Sequence, residues 1–235
     1  MPPILRSHIQ LRPDPALSLK DPLSSDLGRA LLEEGLELMC DIGLEAFTFK
    51  KLAEKMGSTE VSLYKYFPNK QRLLQYYFQL YWLWLRQLCG RHAEKASSPR
   101  EALEQVIGAL CGVWPKELPP VHLDPRALRS LVIDEGMKSY LHKKVDDDNA
   151  RRLFAPYKEL SAFVAELIVA CRKDVPMPRS FATTIIEMAY SLPFAMEHLP
   201  SLTELTTRQG PKTLAQHLMH RTITYIDHAQ PFKKK

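Results

Sequence analysis

Residues 47–70, FTFKKLAEKMGSTEVSLYKYFPNK, restrict the chain more than any other stretch. Phe49, Leu52, Ala53 and Met56 recur at i, i+3, i+4 and i+7, the spacing of one helical face, and Gly57 follows where a helix can end in a left-handed residue. Leu63, Tyr66 and Phe67 share a face of a second short helix, which Pro68 stops because it has no N–H and clashes with the preceding turn. Thr48 and Thr59 stand where N-caps belong. Helices this short do not persist alone in water. The pair must therefore pack on each other across Gly57 and on a third element.

The rest of the chain has the same period. Leu27, Ala30, Leu31, Leu38 and Met39 predict a helix from Ser24 to Asp41, capped by Ser24 or Ser25 and stopped at Gly43. Asn69 can cap a long helix from Lys70 to about Lys95, a rod of roughly 39 Å that can link two modules. Beyond Ser97-Ser98-Pro99, periodic segments at 100–114, 125–143, 148–173, 179–198 and 212–229 are separated by Pro, Gly or charged breaks, and no alternating strand pattern competes. The expected class is all-α: a flexible arm at 1–23, rich in proline; a three-helix helix-turn-helix domain at 24–70; and a C-terminal helical domain at 71–235, reached through the long helix.

Charge distribution says more than the net charge of +5. From Thr48 to Arg72 six basic residues (Lys50, Lys51, Lys55, Lys65, Lys70, Arg72) face two acidic ones (Glu54, Glu60), which concentrates positive potential on the short-helix pair. The richest apolar run, YYFQLYWLWL at 76–85, is about half of what crosses a bilayer, and the N-terminus has no secretory pattern, so a cytoplasmic protein without membrane contact is expected. Cys40, Cys89, Cys111 and Cys171 lack metal-ligand spacing and read as reduced thiols. His217, His220 and His228 lack a completing ligand, and Asp146, Asp147 and Asp148 lack the alternation of a calcium loop and suit a helix start. No nucleophile, phosphate-loop or dinucleotide motif is present, so an enzyme would need an unsignalled pocket, for example one with Glu135 and His122 or His142. No cofactor, metal or catalytic residue is expected.

A helix-turn-helix reads DNA because one short helix props the next into the major groove. With Leu63, Tyr66 and Phe67 turned inward, Glu60, Val61, Ser62, Tyr64 and Lys65 stay on or near the surface, where the Tyr64 hydroxyl and the Lys65 ammonium can meet phosphates. The pattern G-x-x-x-F-T-x-x-x-L-A-x-x-x-G from Gly43 to Gly57, followed by S-L-Y-K-Y-F-P-N-K from Ser62 to Lys70, resembles the TetR (tetracycline-repressor-like) family over residues 24–75. The resemblance implies a homodimeric, all-helical transcription regulator, usually a repressor, whose grip on a palindromic operator changes when a small-molecule effector binds the C-terminal domain. On the matching positions it implies phosphate contacts by Thr48, Lys50, Tyr64, Lys65 and Lys70, and base-facing positions at Glu60, Val61 and Ser62 behind the Thr59 cap. Glu60 departs from the family's usual residue; it either accepts from a cytosine or complements the helix dipole.

For the C-terminal domain, Tyr77, Tyr81, Trp84, Trp114, Phe154, Tyr157, Phe163 and Met188 are candidates to line an effector cavity, with core packing as the alternative for each. The last two long helices resemble the family's dimerisation pair, with stripes at Phe181, Ile185, Met188, Leu192 and Met196, kinked at Pro193, and at Leu214, Leu218 and Tyr225. The competing reading is a helical protein-interaction module that keeps the fold without reading DNA.

Overall fold

The computed structural model describes residues 11–230, and every regular element among them is helical. Helix α1, Asp26–Ala46, opens at Ser25, whose Oγ accepts the Gly28 N–H at 3.2 Å. Gly43, at φ 72° and ψ 162°, kinks it and one more short turn follows, so the expected stop is a break inside the helix. Helices α2 (Phe49–Met56) and α3 (Glu60–Tyr64) start at Thr48 and Thr59, whose hydroxyls accept the Lys51 and Ser62 N–H groups. Gly57 closes α2 in the left-handed region at φ 59°. Helix α4, Lys70–Lys95, begins behind Asn69, whose Oδ1 accepts the Arg72 N–H at 2.9 Å.

Leu52, Leu63 and Phe67 are fully buried beside Leu31, Leu32 and Met39. At about 1.5–3 kcal/mol for each large apolar side chain removed from water, this shared core holds two helices that could not persist alone. The core extends past residue 70: Tyr77 on α4 donates to Leu32 O at 3.0 Å, and a Cβ at Gly35 would lie 2.6 Å from that phenol oxygen. Thus α1 and the start of α4 are in close contact.

The remaining helices are α5 (Pro99–Leu110), α6 (Pro125–Glu135), α7 (Val145–Ala150), α8 (Ala155–Cys171), α9 (Pro178–His198) and α10 (Gly210–His228), with a 3-10 turn, Gly136–Ser139, extending α6. They surround α4, which is buried continuously from Leu73 to Tyr81; α5, α6 and α8 touch it, α9 and α10 pack outside, and α1 rests on α6. The stretch expected as one helix over 148–173 divides between α7 and α8 because Arg152 adopts φ 61°. Asp146, Asp147 and Asp148 lie in the first turn of α7.

The N-terminal stretch differs from the expected loose arm. Residues 11–23 are packed through 3-10 turns at Pro15–Leu17 and Pro22–Ser24, which are capped by Asp14 and Asp21. Leu17 is fully buried, Asp14 N–H donates to Gln79 Oε1 at 2.6 Å, and Leu19 N–H donates to Tyr66 O at 2.8 Å. Proline and Asx turns carry no period, so amphipathic spacing does not reveal them. Residues 1–10 of that arm, and the final Lys233-Lys234-Lys235, lie outside the described residues. No helix among the described residues is long and apolar enough to cross a membrane.

Candidate functional site

The short-helix pair separates anchors from exposed tips. Leu63, Tyr66 and Phe67 are buried, and the Tyr66 hydroxyl lies 2.6 Å from Ser25 Oγ. Thr48, Lys50, Thr59 and Lys65 are exposed, Glu60 and Ser62 are half-buried, Val61 is 72% exposed and Tyr64 43%. Tyr64 does not float: its ring meets the edge of Phe49 at 4.9 Å and 87°, which fixes the direction of the hydroxyl at modest cost. Local desolvation, and then the Glu60 carboxylate, push the Tyr64 phenol above its ordinary value, so it remains a protonated donor at neutral pH.

The basic residues sort by partner. Lys51 Nζ donates to Ala46 O at 2.9 Å and Lys55 pairs with Glu34 and Glu37, whereas the side chains of Lys50 and Lys65 make no ion pair or hydrogen bond among the described residues. Lys70 points inward. Its Nζ donates to Leu44 O at 2.7 Å and to Glu45 O and Phe47 O at 3.1 Å each, so all three ammonium protons cap the end of α1. The sequence placed Lys70 correctly at the start of α4 but not its tip, because the carbonyl nest is created only when Gly43 kinks α1.

A second feature lies between α4, α6, α8 and α9: a cavity of about 260 Å³. Of the candidate residues, Phe154 and Tyr157 line it; Tyr77, Tyr81, Trp84, Trp114, Phe163 and Met188 do not. Tyr77 reaches α1, Tyr81 hydroxyl meets Tyr190 hydroxyl at 2.9 Å, Trp84 Nε1–H donates to Pro119 O, and Trp114 Nε1–H donates to Ala109 O. The Arg86 guanidinium lies 3.8 Å from the Phe163 ring centroid. The cavity face of α4 is instead Gln75, Phe78, Gln79 and Trp82, at i, i+3, i+4 and i+7. The two glutamines within an apolar run were the sequence signal for that face.

Two polar junctions join the cavity wall to the helix-turn-helix. Glu135, buried at the end of α6, accepts the Leu44 N–H at 2.9 Å through Oε1, where the Gly43 kink frees that donor. Its Oε2 is 2.7 Å from Lys138 Nζ, oriented as an ion pair rather than a directed hydrogen bond. Nearby, Asp148 receives Arg72 Nη2–H and Gln75 Nε2–H, each at 2.8 Å. Burial raises the Asp148 carboxyl, but the hydrogen bonds from Gln75 and Arg72 and the charges of Arg72 and His142 bring it below the ordinary aspartate range. The enzymatic pairing is not assembled: Glu135 caps Leu44, His142 faces Asp148 and His122 meets Tyr76. No metal-binding group of His, Cys, Asp and Glu forms among the described residues.

The expected dimer stripes also divide. Ile185, Leu214 and Leu218 are buried within the chain's own core, and Phe181 stacks on Tyr225 at 3.9 Å, with the Tyr225 hydroxyl donating to Pro176 O. Met188, Leu192 and Met196 remain half-buried. The reason is that α9 and α10 use their apolar stripes first against each other, α5 and α8.

Comparison with known proteins places these features. Residues 31–77 match the profile of bacterial regulatory proteins of the tetR family. The class C tetracycline repressor protein of Escherichia coli is 42% identical over 45 residues, a stretch that covers 19% of this chain and 20% of that repressor's length. The crystal structure of AibR in complex with isovaleryl coenzyme A and operator DNA matches at TM-score 0.56 and 16% identity, over 82% of this chain and 96% of that one. The ketosteroid transcriptional regulator KstR2 of Mycobacterium tuberculosis matches at 0.56 and 15%, over 84% and 96%. At that identity the likeness establishes the all-helical fold. Residues 31–77, which span the helix-turn-helix, are therefore similar to bacterial regulatory proteins of the tetR family, and the chain has the all-helical fold of these solved structures.

Proposed function

We propose that the chain is a ligand-responsive transcription regulator of repressor type, which grips a palindromic operator as a homodimer and changes its grip when a small molecule enters the cavity. One observation carries this reading: Tyr64, Lys65 and Lys50 present polar tips outward from a capped, fully anchored helix pair, and the two lysine ammonium groups have no partner within the chain among the described residues. Thr48, Ser62 and Val61 complete the surface offered to the groove, with Lys70 holding it from behind. AibR, a neighbour in fold, was solved with both operator DNA and a small molecule, which supports assigning both partners to one chain.

Allostery requires that ligand and DNA bias two arrangements differently. The Glu135–Leu44 bond and the Arg72–Gln75–Asp148 cluster supply the means, because Gln75 and Lys138 line the cavity while Leu44 and Arg72 adjoin the helix-turn-helix. Two reading heads must lie about 34 Å apart, or a multiple, to meet successive half-sites, which is the argument for a homodimer. The half-exposed Met188, Leu192 and Met196 on α9 are its contact surface in this proposal.

The test is duplex affinity as a function of salt. Replacing Lys65 or Lys50 by Ala should lower the log–log salt slope by about 1 each and weaken all operators alike. Affinity indifferent to salt and to both substitutions would leave the interaction-module reading in its place.

A further inference from the structure

We infer that the cavity selects a small organic cation, an amine-derived or quaternary ammonium group on an apolar body, with its positive charge beside Glu187. The inference deepens the effector reading above and rests on it. Glu187 lines the cavity from α9, its Oε1 accepts the Tyr157 hydroxyl at 2.6 Å, and no cation pairs with it among the described residues. A carboxylate set in an apolar wall without a counter-ion favours a ligand that brings one. Burial pushes up the phenols of both Tyr157 and Tyr140; the hydrogen bond to Glu187 and then its charge add to this at Tyr157, and its charge adds at Tyr140, and all three residues line the cavity.

The rings beside it suit the same ligand. Trp82 meets Tyr157 at 5.0 Å and 61° and Tyr190 at 5.1 Å and 78°, a corner of aromatic rings of the type that holds quaternary ammonium groups. The charges around the cavity do not cancel this preference. Lys138 lines the wall, but its ammonium is taken by Glu135 at 2.7 Å and leans toward Glu45 at 3.9 Å. Arg129 stands behind Tyr190, 5.9 Å from the ring centroid, and donates to Cys111 O. Asp134, also in the wall, adds a second acid. An anionic ligand would therefore meet Glu187 and Asp134 with no unpaired cation among the described lining residues to receive it.

Size narrows the class. A cavity of about 150 Å³ accepts benzene; scaled from that ratio, the 260 Å³ here takes about ten non-hydrogen atoms. Phenyltrimethylammonium and its uncharged isostere tert-butylbenzene both have that size and differ only in charge.

Titration of the full chain with each compound, followed by tryptophan fluorescence, decides the matter. The expected result is that phenyltrimethylammonium binds about tenfold or more tightly than tert-butylbenzene, and that Glu187→Gln removes the preference. Equal affinities in the wild type, preference for benzoate, or no cation binding at about 1 mM would overturn the proposal, and the wild-type comparison decides it even if the variant does not fold. Duplex binding by the ligand-free protein is measured separately. If it persists while the cation preference is absent, the ligand class has failed and the DNA-binding reading stands; if duplex binding is absent, that reading fails whatever the cavity prefers.

Discussion

Lys70→Met separates two roles that one lysine could have at this position. The substitution keeps the apolar stem and deletes the ammonium, leaving Leu44 O, Glu45 O and Phe47 O without their common donor. Hydrogen bonds involving a charged group contribute about 1.5–3 kcal/mol each when considered singly. Here one partly exposed ammonium serves all three, and water can rehydrate the outer carbonyls, so about 2–3 kcal/mol is the reasonable sum, including its favourable position at a helix C-terminus. For a chain of this length that is a fall in Tm of roughly 4–12 °C, provided unfolding is close to two-state. Thermal unfolding by circular dichroism reads the first quantity. The slope of log affinity against log salt reads the second, and it should stay unchanged even if affinity falls because the helix pair is less well held. A slope reduced by about 1 with Tm unaltered would show that Lys70 contacts a phosphate, and the strut argument would be wrong.

Asp148 gives a pH test. Its folded-state pKa is depressed, so its contribution is complete above the ordinary aspartate value of about 3.9 and disappears as pH falls through the folded value. The urea-midpoint advantage of wild type over Asp148→Asn should thus be full at neutral pH and shrink below about pH 4; an advantage constant throughout would remove the ionic account of the cluster. Gly28→Ala should lower Tm despite its better helix propensity, since the new Cβ would sit 2.2 Å from Pro22 O and displace the packed N-terminal turns. An unchanged or raised Tm would mean that those turns contribute nothing. Glu135→Leu leaves the Leu44 N–H without its acceptor and should cost about 1–3 kcal/mol in chemical denaturation, a loss that Glu135→Gln largely avoids. Equal stability of the two variants would argue against the cap.

The helix-turn-helix was legible because its signals are local. Thr48, Gly57, Thr59, Pro68 and Asn69 each act within a turn of their own position, and the apolar spacing between them fixes which face is buried. The cavity was not, because α4 is apolar around most of its circumference, and periodicity cannot choose between Tyr77, Tyr81 and Trp84 on one face and Gln75, Phe78, Gln79 and Trp82 on another. That choice is made by α6, α8 and α9 packing against it, contacts distant in sequence. The same limit applied to Ile185, Leu214 and Leu218, where a stripe bound for the chain's own core looks identical to one bound for a second copy. Lys70 shows a finer version: its position was readable, but the direction of its ammonium depended on the kink of α1 at Gly43, far back along the chain.

The measurement that bears most directly on the outward-facing helix pair is selection of duplex fragments from the source genome, carried out in parallel with the wild type and with a Lys50→Glu, Lys65→Glu double variant of equal thermal stability. The wild type should enrich a small set of fragments sharing a two-fold symmetric sequence, and the variant should enrich none. Enrichment that survives both charge reversals, or a wild type that selects no fragment at low salt, would contradict the claim that this surface reads DNA.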